Sequence, residues 1–83
     1  MMPEQIVAVK DVEAFFRHIF LDRKVDFHPD DDFSAFENQT TGEPTFSPEE
    51  AEKYNAMMDD CFQVCEKFHV DIYDKWMKAL IAD

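Results

Sequence analysis

Glycine is almost missing from this chain. Gly42 is the only one among 83 residues, so no glycine-rich phosphate-binding loop can be built. Tight β-hairpins also draw on glycine, so one glycine beside four prolines argues against a many-turned β architecture. Serine is nearly as scarce. Ser34 lies in no nucleophile motif and Ser47 has a capping role, which leaves little for nucleophilic catalysis. Cysteine is limited to Cys61 and Cys65, too few for the disulfide framework of a small secreted scaffold. The eight Lys and Arg residues are scattered, with Arg23 and Lys24 the one adjacent pair. Nucleic-acid binding needs basic residues in clusters, so direct nucleic-acid and anionic-membrane contact is not expected. Long apolar runs are lacking too. Residues 6–9 are apolar but stop at Lys10, with no basic region before them. That is too short for a signal segment or a membrane span, and a cytoplasmic location is the expectation.

What the chain has in excess is acid. Nineteen Asp and Glu give a formal net charge of −11. Eight of these acids fall within residues 30–52, where there is no Lys or Arg: Asp30, Asp31, Asp32, Glu37, Glu43, Glu49, Glu50 and Glu52. The flanks are nearly balanced, with 5 acidic against 4 basic residues before this stretch and 6 against 4 after it. Phe33, Phe36 and Phe46 stand among the acids. Disordered acidic tails are poor in aromatics, so the stretch is expected to be part of a folded acidic surface. Its natural electrostatic complement is a cation or a protein with a basic surface.

Apolar periodicity predicts a single, mainly α-helical domain over 1–83. Val12, Phe15, Phe16, Ile19 and Phe20 share one helical face, predicting a helix over residues 12–23 with Asp11 as its N-cap. Residues 6–9 fit either a short strand or an extra helical turn. Pro29 disfavours helix at His28, and one of Asp30, Asp31 and Asp32 can cap a short helix through Phe33 and Phe36. Thr41 and Gly42 signal a turn. The long connection between the first two main helices is expected to be ordered, tied down by Phe27, Phe33, Phe36 and Phe46. Ser47, Pro48 and Glu50 form a capping box with proline at the first helical position. The stripe Ala51, Tyr54, Met58, Cys61, Cys65 and Phe68 then predicts a helix of about five turns with a core-facing seam. Phe62 is expected in the core, and one of Met57 and Met58 at the surface. Asp71 can cap a last helix in which Ile72, Trp76, Ala79 and Leu80 share a face; one bent helix to the C-terminus is the alternative. The total is three or four helices.

Two metal sites can be written from the sequence. Asp26, His28, Asp30, Asp32, Ser34 and Glu37 occupy the ligand positions of an EF-hand-length calcium loop. His28 stands where an oxygen ligand belongs, Pro29 stiffens the loop, and Asp31 replaces the glycine of the sharp turn. Cys61, Cys65 and His69 recur every four residues but lack the knuckle spacing of a structural zinc site. Buried packing accounts better for both cysteines. No cofactor and no catalytic residues are expected.

The run Phe27, His28, Pro29, Asp30, Asp31, Asp32 and Phe33, followed by Thr41, Gly42, Glu43, Pro44, Thr45 and Phe46, resembles small acidic proteins of Bacteroides-type bacteria. The resemblance spans about residues 11–74. It implies a bacterial, cytosolic source and brings no activity with it.

The function expected from these features is a non-enzymatic protein–protein interaction or regulatory module. Its contact residues are Asp30, Asp31, Asp32, Phe33, Phe36 and Glu37, and its partner is a protein with a basic surface. Calcium binding by the same loop, an acidic mimic of nucleic acid that blocks a DNA-binding protein, and an enzyme subunit completed by another chain are the alternatives. Self-association stays open.

Overall fold

The structure is a computed structural model that describes residues 3–38 and 40–81. Helix α1, Val9–Arg17, runs on without a break into a π-helical turn, His18–Asp22. A single 3₁₀ turn, Phe33–Ala35, precedes the long helix α2, Pro48–Lys67, and helix α3, Ile72–Ile81, closes the chain. Among the described residues there are three α-helices and no strand, so the mainly α expectation holds.

Helix α1 starts earlier than its apolar periodicity predicts. Ala8 is the N-cap, and Asp11 lies inside the first turn instead of ahead of it. Its carboxylate reaches back to accept from the Val7 and Ala8 amides at 3.1 and 3.0 Å. Those amides have no intrahelical acceptor, so Asp11, at the third helical position, plays the reaching-back part of a capping box. Val9 is therefore helical and residues 6–8 form no strand. At the far end the Arg23 amide donates five residues back, to the His18 carbonyl at 3.1 Å. The wider turn keeps Ile19 and Phe20 buried beside Phe15 and Phe16. His18 and Arg23 meanwhile reach the side chains of Tyr54 and Glu50 near the start of α2.

The capping box forms as read. Ser47 Oγ accepts from the Glu50 amide at 3.2 Å, and the Glu50 carboxylate accepts from the Ser47 amide at 3.3 Å. The seam of α2 buries Ala51, Tyr54, Met58, Cys61 and Cys65, and also Met57 and Val64. Both adjacent methionines are thus internal, so the expectation of an exposed one fails. Phe68 is a further correction. It lies past the last turn, 48% exposed, with Lys67 Nζ 5.6 Å from its ring centre. Phe62 is half-buried at the margin of the core.

A Schellman motif separates α2 from α3, so the bent continuous helix is excluded. The Val70 amide donates to the Cys65 carbonyl at 2.8 Å and the His69 amide to Glu66 at 3.2 Å. Such an end requires a left-handed residue. With no glycine there, His69 takes it at φ 56°, at a cost of roughly 1–2 kcal/mol. Asp71 Oδ1 then accepts from the Tyr73 amide at 2.9 Å, opening α3 as expected. Ile72 and Ala79 are buried and Trp76 packs against the core, but Leu80 is 38% exposed.

Phe33 is the centre of the aromatic core. Its ring centre lies 5.4–6.2 Å from those of Tyr54, Phe46, Phe36 and Phe27. Phe27, Phe33 and Phe46 are buried and Phe36 packs beside them. Between Phe36 and Phe46 the chain doubles back through a bridge pairing Glu37 with Pro44, with Gly42 at φ 74° in the turn.

Candidate functional site

Residues 28–32 fold into a tight polar turn. The Asp31 amide donates to the His28 carbonyl, and the Asp31 carboxylate accepts from the His28 amide, both at 2.9 Å. The Asp30 amide donates to His28 Nδ1 at 3.2 Å. Asp32 caps the 3₁₀ turn: Oδ1 accepts from the Ser34 amide at 2.9 Å and from its hydroxyl at 2.8 Å. These bonds, the amide first and then the Asn55 amide group and the Ser34 hydroxyl, hold the Asp32 carboxyl below the usual carboxylate range.

One residue of α2 locks this turn in place. Asn55 Nδ2 donates to Asp32 Oδ1 at 2.9 Å while Asn55 Oδ1 accepts from the Phe33 amide at 3.0 Å. From the other side, Tyr73 of α3 donates its hydroxyl to the Asp30 carboxylate at 2.9 Å, which pushes the phenol above its usual range. Trp76 Nε1 donates to the Phe27 carbonyl at 2.6 Å. The acidic turn is therefore clamped between α2 and α3.

A cleft of about 360 Å³ opens between this turn and α2. Asp30, Asp31, Asp32 and Asp59 contribute carboxylates to its lining, Asn55 an amide, and Pro29, Met58 and Phe62 its apolar wall. No Lys or Arg lines it. Asp30, Asp31 and Asp32 also serve the local fold. The Asp59 side chain makes no hydrogen bond or ion pair with the described residues. Sequence reasoning missed both Asn55 and Asp59. The available signal was their spacing, since Asn55, Asp59 and Phe62 fall at i, i+4 and i+7 on one face of α2.

The expected contact residues separate accordingly. Asp30, Asp31 and Asp32 come together at the cleft. Phe33 does not belong to the surface at all: its ring is fully buried, because the aromatic core needs it. Phe36 is partly buried against the same core, and Glu37 sits in the bridge with Pro44, away from the cleft lining.

Neither metal constellation assembles. Among the described residues no three of His, Cys, Asp and Glu are grouped so as to hold a metal ion. Along the calcium-loop residues, Ser34 turns its hydroxyl onto Asp32 and Pro29 is buried. Cys61 and Cys65 are buried free thiols, and burial pushes both upward, Cys61 far above the usual thiol range. His69 is exposed at the helix end.

A second polar cluster lies at the π turn. His18 Nδ1 is 3.0 Å from Asp22 Oδ2 and Nε2 is 2.8 Å from the Tyr54 hydroxyl. Arg23 donates to Glu50 at 2.7 Å and to the Tyr54 hydroxyl at 3.3 Å, with its guanidinium 4.7 Å from the centre of the Phe46 ring. Arg23 first, then the Ser47 amide, holds the Glu50 carboxyl below the usual range. Both nitrogens of His18 are engaged within the cluster, which is the arrangement of a clasp.

Among known proteins the chain matches no family model, and no match was found with a curated protein or a solved structure. Among the described residues, no helix is long and apolar enough to cross a membrane.

Proposed function

We propose that the protein is a non-enzymatic binding module whose acidic cleft receives a Lys or Arg side chain from a basic segment of another protein. One observation carries this reading: four aspartates and no cation line a concave opening that also has an apolar wall. A lysine or arginine has the matching two-part chemistry, an apolar stem and a charged head. The carboxylates supply the counter-charge, and the half-buried Phe62 ring offers apolar surface for the stem. The clamps from Asn55 and Tyr73 hold the turn in one conformation, so little ordering entropy is lost on binding.

The test is titration of a short lysine-rich peptide, with charge reversal at two sites. Asp59→Lys reverses a cleft acid whose side chain has no partner among the described residues. Glu43→Lys makes the same change in net charge outside the cleft lining. The expected result is at least a tenfold loss of affinity for Asp59→Lys, a much smaller loss for Glu43→Lys, and weakening of binding by salt. Equal losses for the two variants would mean that net charge alone attracts the peptide, and the cleft would have no part in it.

A further inference from the structure

Helix α3 is apolar on two faces. Ile72, Trp76 and Ala79 face the core. Tyr73, Met77, Leu80 and Ile81 fall at i, i+4, i+7 and i+8 and are 40%, 50%, 38% and 73% exposed. A run of exposed large side chains along one stripe marks a contact surface. The stripe begins where the acidic cleft ends. Tyr73 donates its hydroxyl to Asp30 of the cleft, and its ring centre lies 6.4 Å from that of Phe62, another cleft residue. The two lysines of α3 are already paired, Lys75 with Glu13 and Lys78 with Asp74, both at 3.0 Å. No uncompensated cation on α3 stands beside the stripe to repel a basic ligand.

We infer that the cleft and the α3 stripe form one continuous docking surface for a basic amphipathic helix. Apolar residues spaced i, i+4 and i+7 on the partner lie along Tyr73, Met77, Leu80 and Ile81, and a Lys or Arg beyond its end enters the cleft. This rests on the cleft reading above and adds the form of the partner. Charge selects the occupant: a second copy would bring another net −11 to a surface that is already acidic. Tyr73 to Ile81 spans about 12 Å of helix, so two to three turns of partner helix suffice.

Two synthetic peptides of equal positive charge test it by fluorescence anisotropy. One is an amphipathic helix with Leu at i, i+4 and i+7 and Lys elsewhere. The other is an unstructured Lys-Gly peptide. The chain variants are Asp59→Lys and the double replacement Met77→Gln with Ile81→Gln, chosen because glutamine keeps helix propensity close to that of methionine. The amphipathic helix is expected to bind at least tenfold more tightly than the Lys-Gly peptide. The glutamine pair should remove that advantage and leave Lys-Gly binding unchanged, whereas Asp59→Lys should weaken both. If both peptides bind equally and the glutamine pair has no effect, the stripe takes no part and the cleft reading alone survives. If neither peptide binds, both readings fail. If the chain sediments as a dimer that the glutamine pair converts to monomer, the stripe belongs to a second copy and the helix partner is overturned.

Discussion

Two polar clusters tie Arg23 and residues 28–33 to α2, and they treat charge differently. At the π turn each acid meets a base: Asp22 faces His18 and Glu50 faces Arg23. Tyr54 joins the two pairs through its hydroxyl, with its ring in the core. At the cleft, four aspartates gather without a Lys or Arg; their partners are the Asn55 amide, the Ser34 hydroxyl, the Tyr73 phenol and the His28 ring, whose Nδ1 lies 3.5 Å from Asp30 Oδ2. A cluster closed on itself stabilises the fold. A cluster whose like charges remain uncompensated weakens the fold by repulsion and keeps its attraction for something outside it. Composition does not distinguish the two. The difference lies in the neighbours: the π turn and the residue after it bring His18 and Arg23 to the acids, whereas the cleft has Asn55 of α2 and Tyr73 of α3.

The largest expected effect breaks the closed cluster at its centre. Tyr54→Ala removes a ring packed against Phe15, Phe33 and Phe46, whose ring centres lie 5.0–5.7 Å away. The loss should be about 3–5 kcal/mol, a large part of the total stability of a domain of this size. Tyr54→Phe keeps the ring and removes only the hydroxyl that serves His18 and Arg23, so about 1–2 kcal/mol should be lost. Urea unfolding of both variants separates packing from the clasp. Equal losses would mean that the hydroxyl network, and not the ring, holds this end together.

Acid should act on both clusters in a defined direction. Arg23 holds Glu50, and the Ser34 amide holds Asp32, below the ordinary carboxylate value. A carboxyl group with a depressed folded value contributes stability that is complete above its unfolded value, about 4. That contribution is lost as pH falls through the folded value. The urea midpoint should therefore hold steady from pH 7 toward 5 and drop below about 4. Glu50→Gln should lower stability at pH 7 and flatten the acid slope. Asp32→Asn keeps an oxygen able to cap the 3₁₀ turn, so it should flatten the slope with little change at pH 7. Acid slopes unchanged in both variants would remove these two carboxylates as the origin of acid sensitivity.

Which features were legible in the sequence follows from how local their causes are. The Ser47 and Glu50 box, the Asp71 cap and a cap from one of Asp30, Asp31 and Asp32 each join groups within three residues, and all three formed, the last through Asp32. Asp11 was read as a cap in the wrong register, because an acid serves a helix start from either side of the first turn. The π turn left no mark, since Phe15, Phe16, Ile19 and Phe20 fit ordinary helical spacing equally well. Phe68 fitted the α2 stripe, but the helix ends one residue before it. Phe33 was the hardest to place. An aromatic among acids suits a contact surface as well as a core anchor, and only its packing against Tyr54, 21 positions on, decides for the core. Asn55 left no signal for the same reason: its partners, the Asp32 carboxylate and the Phe33 amide, lie more than twenty residues before it.

The smallest expected change in stability bears most directly on the contrast between the clusters. Asp59 belongs to the cleft lining, and its side chain has no hydrogen bond or ion pair with the described residues. Asp59→Asn removes one of four like charges, breaks no bond of the fold and keeps the side chain's size. Stability should stay within about 0.5 kcal/mol of the parent, with any shift toward greater stability as repulsion is relieved. Urea unfolding at low and at high salt checks this, because screening should shrink any gain. A clear loss of stability at both salt concentrations would show that Asp59 has a structural partner, and the cleft would then be closed in the same sense as the clasp. A neutral or favourable result leaves an acid held at a cleft where the fold makes no use of its charge. That is the property that distinguishes a binding surface from a clasp.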